Sequence, residues 1–181
     1  MSADRARRIE FERAILVYLD EVYRYAFRIA RDAERAEDLT QETFLQAWRS
    51  FDHFTMGTNA RAWVYRILHN VRSHSLRGLA RERATVGIDD VPAGALAYDP
   101  PLPAIFERRI VEEAFATLDD ASRELVVLAD VEGFTYREIG DILQVPLGTV
   151  MSRLSRARRR LRSLVSQHTH GVRAGERASG E

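Results

Sequence analysis

The placement of proline divides this chain into two parts. Four of its five prolines fall between residues 92 and 103, in a stretch that also contains Gly94. Proline fixes φ and lacks an amide N–H, so this stretch cannot form a regular helix. We therefore expect a Pro/Gly-rich linker over residues 81–106, between one domain at 1–80 and another at 107–166. Residues 167–181 are rich in Gly, Ser and charge, and we predict a disordered tail there.

The sequence on both sides of the linker has the periodicity of helices. Apolar residues recur at spacings of three and four over 10–30, which predicts a helix there, and again in later segments. Asp32 and Asn59 precede two such segments as N-caps, and Thr135 forms a capping box with Glu138. No segment shows the strict alternation of a strand. We predict an all-α fold of two small domains, an N-terminal helical bundle and a C-terminal helix-turn-helix domain.

Composition excludes several classes of protein. The chain has no cysteine, which rules out a disulfide framework, a thiolate zinc site and a cysteine nucleophile. It has no apolar run of the roughly 18 residues that a membrane span needs, and no apolar segment typical of a signal peptide near Met1. We therefore expect a cytoplasmic protein without membrane insertion. We expect no cofactor and no metal, because His168 and His170 in the tail lack a fixed partner.

The net charge of zero conceals strong segregation of charge along the chain. Residues 10–42 contain nine acids and five Arg, whereas residues 61–83 contain six Arg and one acid. The pattern repeats, with ten acids and four Arg over 107–141 and six Arg without an acid over 151–164. Basic segments in a neutral chain indicate a polyanionic partner. All 27 basic residues are Arg, whose planar guanidinium binds phosphate bidentately.

The segment from Thr135 to Leu164 has the pattern of a helix-turn-helix. A turn at 144–146 separates a short helix from a second helix that we expect to begin near Leu147. On a helical wheel, one face of the second helix is apolar and is formed by Val150, Leu154, Ala157, Leu161 and Leu164. The opposite face carries Ser152, Ser155, Arg156 and Arg159, with Arg153 and Arg160 on its flank. Such a polar face is suited to the DNA major groove.

Residues 136–140 (YREIG) and 145–158 (VPLGTVMSRLSRAR) closely resemble the promoter-reading domain of extracytoplasmic-function sigma factors. Gly140 replaces the usual Ala, and Met151 replaces a residue that is commonly basic or polar. The resemblance implies that the second helix reads the minus-thirty-five element of promoter DNA. The implied contacts are Thr149, Ser152, Arg153, Ser155, Arg156, Arg159 and Arg160.

Residues 36–48 (AEDLTQETFLQAW) are similar to the helix by which these sigma factors bind the clamp coiled coil of core RNA polymerase. Asp38, Gln41 and Glu42 are spaced i, i+3, i+4 and form one polar ridge, which suits a basic partner. The resemblance also assigns Phe44 and Trp48 to this contact.

Residues 51–70 combine a loop with a helix rich in Arg and aromatic residues, a combination that suits single-stranded DNA. In the family that this stretch resembles, the loop captures a flipped base of the minus-ten element and the helix holds the melted strand. The resemblance therefore implies a pocket from His53 to Asn59 and a strand-binding helix. The implied contacts are His53, Phe54, Thr55, Asn59, Arg61, Arg66, Asn70, Ser73 and Arg77. For Trp63 and Tyr65, a core position and a stacking position both remain open.

These resemblances predict a sigma factor that directs promoter recognition and melting for a stress regulon, without enzymatic activity. The implied partners are core RNA polymerase, promoter DNA and an anti-sigma factor. Two other classes remain open. One is a stand-alone helix-turn-helix repressor or activator, which would bind duplex DNA alone. The other is a tyrosine recombinase, since His69 and Arg72 fit an H-x-x-R pattern, although Tyr98 and Tyr136 are poor candidates for its nucleophile.

Overall fold

The structure is a computed structural model that describes the backbone of residues 3–82 and 113–178 and the side chains of residues 4–75 and 113–166. Every regular element in these ranges is helical, which confirms the predicted all-α fold. Contacts divide the chain into two compact units: the first comprises Met1–Val91 and Gly140–Gln144, and the second comprises Pro92–Ile139 and Val145–Glu181. The break between Val91 and Pro92 lies within the segment predicted as a linker, most of which is outside the described residues. None of the described helices is long and apolar enough to cross a membrane.

The first unit contains helices α1 (Ala3–Ala14), α2 (Leu19–Ala30), α3 (Ala33–Arg49) and α4 (Ala60–Glu82). The prediction of one helix over 10–30 is wrong, because a 3-10 turn at Leu16–Tyr18 separates α1 from α2. A single 3-10 turn shifts the helical phase by only about 60°. The apolar stripe is about 100° wide, so its periodicity does not reveal the break.

The core of the first unit forms where α2 packs against α3 and α3 against α4. Most of the buried side chains are apolar and come from all three helices: Val22, Tyr25, Ala26, Ile29, Ala36, Phe44, Ala47, Val64, Tyr65 and Leu68. Two threonines of α3 are also buried, and each satisfies its hydroxyl within the helix. Thr40 donates to the Ala36 carbonyl and Thr43 to the Leu39 carbonyl, both at 2.6 Å. Their hydroxyls therefore enter the core without an unpaired donor.

The predicted caps define where the helices begin. Asp32 accepts a hydrogen bond from the Arg35 amide at 2.8 Å, and Asn59 accepts one from the Ala62 amide at 3.0 Å. The capping box is also confirmed, since the Thr135 amide donates to Glu138 Oε2 at 2.8 Å and the Glu138 amide donates to Thr135 Oγ1 at 3.3 Å. Short polar residues before each apolar run were thus sufficient to locate these helix starts.

The C-terminal part of the chain contains α5 (Asp120–Val126), α6 (Tyr136–Leu143) and α7 (Leu147–Ala178), and residues 113–116 are helical as well. Asp119 caps α5 by accepting from the Ser122 amide. Burial alone would raise the pKa of Asp119, but the hydrogen bonds from Ser122 outweigh it and lower that pKa. This carboxylate therefore remains ionised, as a cap at the positive end of a helix requires.

A π-helical turn, Val127–Val131, extends α5 and then stops. Gly133 has a φ of +72°, in the left-handed region, and the Phe134 amide bonds to the Leu128 carbonyl at 3.0 Å. This bond joins residues six positions apart, one position more than the corresponding bond of a Schellman motif, and glycine at this stop adopts a positive φ without steric strain. The stop is followed by the capping box that begins α6.

Helices α6 and α7 form the predicted helix-turn-helix, with the turn at 144–146. Gln144 adopts a φ of +57°, and the amides of Thr149 and Val150 bond to the Pro146 carbonyl. On α7 the predicted apolar face is buried at Val150, Leu154, Ala157 and Leu161.

The prediction that Leu164 belongs to this apolar face is wrong. Leu164 is only half-buried, and Val165 is the buried residue at this end of the face. Relative to Leu154, Val165 lies about 20° around the helix and Leu164 about 80°.

The backbone of α7 continues to Ala178, through most of the segment that we expected to be disordered. That segment contains no proline to stop the helix.

Candidate nucleic-acid and partner interfaces

A polar ridge runs along the exposed side of α3. Asp38 and Gln41 are exposed, and Glu42 is half-buried and accepts a hydrogen bond from Gln46 Nε2 at 2.7 Å. Leu45 lies one turn beyond Gln41 and is 43% exposed, a large value for a leucine. We define the α3 ridge as Asp38, Gln41, Glu42 and Leu45. An apolar anchor among polar and acidic groups is typical of a protein-docking surface.

Two residues assigned to this contact lie elsewhere. Phe44 is 8% exposed, because it is six positions from Asp38 and therefore on the far side of the helix. The expectation that Phe44 is a surface contact is thus wrong, and its ring supports the ridge from the core. Trp48 is half-buried, with the Arg7 guanidinium 4.0 Å from its ring centroid. Leu45 was missed, although its i+7 spacing from Asp38 was visible in the sequence.

The 53–59 loop connects a 3-10 turn at Phe51–His53 to α4. His53, Thr55 and Asn59 are exposed, whereas Phe54 is buried, so the prediction that Phe54 contacts DNA directly is wrong. Phe54 is apolar and packs 4.9 Å from Trp63, centroid to centroid, which places it in the wall behind the loop. The loop bends at Gly57, whose φ of +85° side chains other than glycine's rarely adopt.

Helix α4 presents some of its predicted strand contacts on one face. Arg66 is exposed, Asn70 and Ser73 are half-buried, and their i, i+4, i+7 spacing aligns them. The side chain of Arg77 lies outside the described residues. Arg61 is not on this face, because it lies about 140° around the helix from Arg66. It forms an ion pair with Glu21 of α2.

The two aromatic positions left open on α4 are now placed. Tyr65 is 1% exposed, donates a hydrogen bond to Glu21 at 2.8 Å and packs 4.8 Å from Tyr25. It is therefore a core residue. Trp63 is half-buried against Phe54 and so belongs with the wall of the loop.

The predicted polar face of α7 lies opposite its buried face. Arg156, Arg159 and Arg160 are exposed. The other four predicted contacts are half-buried beside them: Thr149, Ser152, Arg153 and Ser155. Arg156 donates from Nε to the Ser152 carbonyl at 3.3 Å, which directs its guanidinium along this face. The structure therefore brings all seven predicted residues to one side of α7.

One arginine of α7 has a different position. Arg158 is 3% exposed, and its guanidinium binds both carboxylate oxygens of Asp130 and the Tyr136 hydroxyl, the latter at 3.0 Å. Burial lowers the pKa of Arg158, but the hydrogen bonds to Asp130 and Tyr136 outweigh it and raise that pKa, so the group stays charged. Arg158 thus joins α7 to the π-helical turn and to the first residue of α6. The sequence contained a signal for the burial of Arg158, because this residue lies on the apolar side of the helical wheel, next to Ala157 and one turn after Leu154.

Two observations on the described residues concern the metal and recombinase alternatives. These residues contain no group of three or more His, Asp or Glu residues that could hold a metal ion. In the H-x-x-R pattern, Arg72 is buried at 8% exposed. Tyr136 accepts the hydrogen bond from Arg158, and Tyr98 lies outside the described residues.

Comparison with known families finds two matching models, one in each unit. Residues 15–82 match sigma-70 region 2, and residues 108–161 match sigma-70 region 4. The first match contains the α3 ridge, the 53–59 loop and α4, and the second contains the helix-turn-helix. All three predicted interfaces thus lie within known sigma-factor regions.

Individual relatives agree with this result. SigE of Mycolicibacterium smegmatis, an extracytoplasmic-function RNA polymerase sigma factor, is 36% identical over 93% of this chain, which spans 66% of its length. The sigma factor EcfG of Rhodopseudomonas palustris is 32% identical, with 83% of this chain and 82% of the relative covered. The sigma factor RpoE of Bartonella quintana, solved with the anti-sigma factor NepR, matches with a TM-score of 0.68 at 31% identity, covering 87% of this chain and 97% of RpoE. The chain therefore belongs to the extracytoplasmic-function family of RNA polymerase sigma factors.

Proposed function

We propose that this sigma factor divides promoter recognition among three surfaces: the α3 ridge, the 53–59 loop with α4, and the polar face of α7. The observation that carries the proposal is the separation of faces on α7. All seven predicted DNA contacts lie on one side, and the apolar residues that fix the helix are buried on the other. A helix held in this way can present Arg and Ser to a duplex without disturbing its own core.

In the first unit, the α3 ridge docks on the clamp coiled coil of core RNA polymerase. The 53–59 loop receives one flipped base of the minus-ten element, and Arg66, Asn70, Ser73 and Arg77 of α4 follow the melted strand. No covalent chemistry is needed, because stacking contributes roughly 1–3 kcal/mol per base and favours the open strand over the duplex. Arg61 serves as a structural support for α4 through Glu21.

In the second unit, α7 enters the major groove at the minus-thirty-five element. Ser152 and Ser155 are short enough to permit close approach, and Arg156 can reach a guanine edge or a phosphate. Arg159 and Arg160 lie further along the helix and are suited to the DNA backbone, which positions the protein without reading sequence.

An anti-sigma factor is the natural regulator of such a chain, as in the RpoE–NepR complex. The chain contains no cysteine, so any redox sensing would reside in that partner. The protein would act in the cytoplasm, together with RNA polymerase, and the resemblance favours a stress regulon.

The proposal is tested by changing Arg156 to Ala. One base contact of this kind contributes about 1–3 kcal/mol, so promoter-specific transcription by the reconstituted holoenzyme should fall by roughly tenfold or more. Association with core polymerase, measured by pull-down, should be unchanged. The control is Arg24→Ala, at an exposed arginine of α2 outside the three surfaces. Loss of core binding in Arg156→Ala, with the control intact, would show that the DNA surface is misplaced.

A further inference from the structure

A continuous series of aromatic contacts links α3 to α4 through α1. Phe11 packs edge-on against Trp48 at 5.1 Å and against Phe51 at 5.2 Å, between ring centroids. Phe51 stacks on Phe54 at 6.0 Å, and Phe54 contacts Trp63 at 4.9 Å. We call these five residues the aromatic chain. It begins in the last turn of the polymerase-docking helix and ends in the first turn of the strand-binding helix.

The 53–59 loop is held mainly at its two ends. At its start, Phe54 is buried in the aromatic chain, and at its end Asn59 caps α4. Residues 55–58 between them are exposed, and Thr58 bonds to the Thr55 carbonyl through its amide and its hydroxyl. The position of the loop relative to α4 therefore depends on where Phe51 and Phe54 are held.

Arg7 of α1 contacts both the end of α3 and the 3-10 turn before the loop. Its Nη2 donates to the Trp48 carbonyl at 2.7 Å, and its Nε donates to Asp52 Oδ1 at 2.8 Å. The same guanidinium lies over the Trp48 ring. The Trp48 carbonyl is in the last turn of α3, where carbonyls lack helical partners and attract a cation. Arg7 thus joins the end of α3 to the 3-10 turn that leads into the loop.

We propose that Arg7 is a positioning residue for the 53–59 loop, acting on the turn at Phe51–His53 directly and through the aromatic chain. The inference rests on the proposed function of the loop as a base pocket. Arg7 and Phe11 both precede residue 15, where the match to sigma-70 region 2 begins. The pocket therefore depends on a helix that lies before the matched region.

The test compares Arg7→Met with Arg8→Met on the full chain bound to core polymerase. Arg8 is a matched control, because it lies on the same helix, is mostly exposed and pairs only locally with Glu12. The probes are single-stranded oligonucleotides carrying the minus-ten element of a promoter that the holoenzyme transcribes, each with one base replaced by an abasic site. The readout is base discrimination, the ratio of the Kd for the most damaging abasic probe to that for the intact probe.

We expect Arg7→Met to reduce base discrimination by about fivefold while the Kd for core polymerase changes less than twofold. Arg8→Met should match the wild type, and Arg7→Lys should restore part of the loss, since Lys keeps one cationic donor but not the fork. Asp52→Asn, at a mostly exposed carboxylate, should shift discrimination in the same direction by less.

Equal discrimination in Arg7→Met and Arg8→Met would overturn the inference. Parallel losses of core binding and discrimination in both Arg7→Met and Asp52→Asn would also overturn it, because they would indicate general damage to the unit. A wild-type holoenzyme that transcribes but shows no discrimination at any position would instead contradict the base-pocket function itself. Failure of the inference and failure of the proposed function are therefore distinguishable.

Discussion

Individual arginines of this chain perform different tasks that composition does not separate. Arg156 and Arg159 of α7 are exposed on its polar face, whereas Arg158 between them is buried and bound to Asp130. In the first unit, Arg66 is exposed and Arg61 is paired with Glu21. Position on the helical wheel decides the task, because successive residues point about 100° apart.

The contrast between Arg158 and Arg159 gives a prediction at this scale. Removing one partner of a buried, hydrogen-bonded ion pair leaves the other unpaired, so Arg158→Met should lower the free energy of unfolding by about 3 kcal/mol. Arg159→Met, at an exposed position, should change it by less than about 0.5 kcal/mol. Chemical denaturation monitored by circular dichroism measures both values. Similar stabilities for the two variants would mean that the Arg158 contacts contribute little.

At the scale of elements, α3 combines a core face with a docking face. Thr40, Thr43 and Phe44 face inward, and the α3 ridge faces outward, so one helix can bind a partner without loss of packing. The ridge places two acidic groups around the exposed Leu45, which suits a basic partner helix with an apolar contact of its own.

This arrangement predicts that Asp38→Arg weakens the association with core polymerase by about tenfold or more, because it places a positive charge against a basic partner. Glu10→Arg makes the same charge change at an exposed position of α1, outside the α3 ridge, and is the control. Affinity is measured by titrating labelled sigma factor with core polymerase. An unchanged Kd for Asp38→Arg would remove the α3 ridge from the docking surface.

Sequence was sufficient for the elements whose boundaries have a local chemical cause. The caps at Asp32 and Asn59 and the capping box at Thr135 were predicted, because each depends on residues at most three positions apart. The 3-10 turn at Leu16–Tyr18 was not, because it barely changes the apolar phase.

The sequence indicated the segments that form the candidate sites, but not the buried residues and long-range contacts that hold them in place. The resemblance indicated where both proposed DNA surfaces lie, yet it could not show that Phe44 and Phe54 face the core, since aromatic residues suit either environment. The contacts of Arg7 with Asp52 and of Arg158 with Asp130 join residues 45 and 28 positions apart. Tertiary packing sets such pairs, so spacing within a helix does not identify the partner, although the wheel position of Arg158 indicates that it is buried.

At the scale of the whole molecule, equal numbers of acidic and basic residues conceal an acidic-then-basic order in each half. The first acidic segment contains the α3 ridge, and the basic segments contain the proposed DNA surfaces. A neutral total gives little general attraction to DNA, since non-specific binding depends on net cationic contacts. The protein should therefore recognise promoters efficiently only when core polymerase supplies further contacts, unlike a stand-alone helix-turn-helix regulator.

The most direct measurement is run-off transcription with purified core polymerase on a pool of promoter fragments. We predict transcripts from a defined subset when this protein is added, and none from core polymerase alone or from the protein alone. The subset should share a minus-thirty-five and a minus-ten element, because we propose that each is read by a different unit. Absence of promoter-specific transcripts, together with tight binding of the free protein to duplex DNA, would contradict the sigma-factor function.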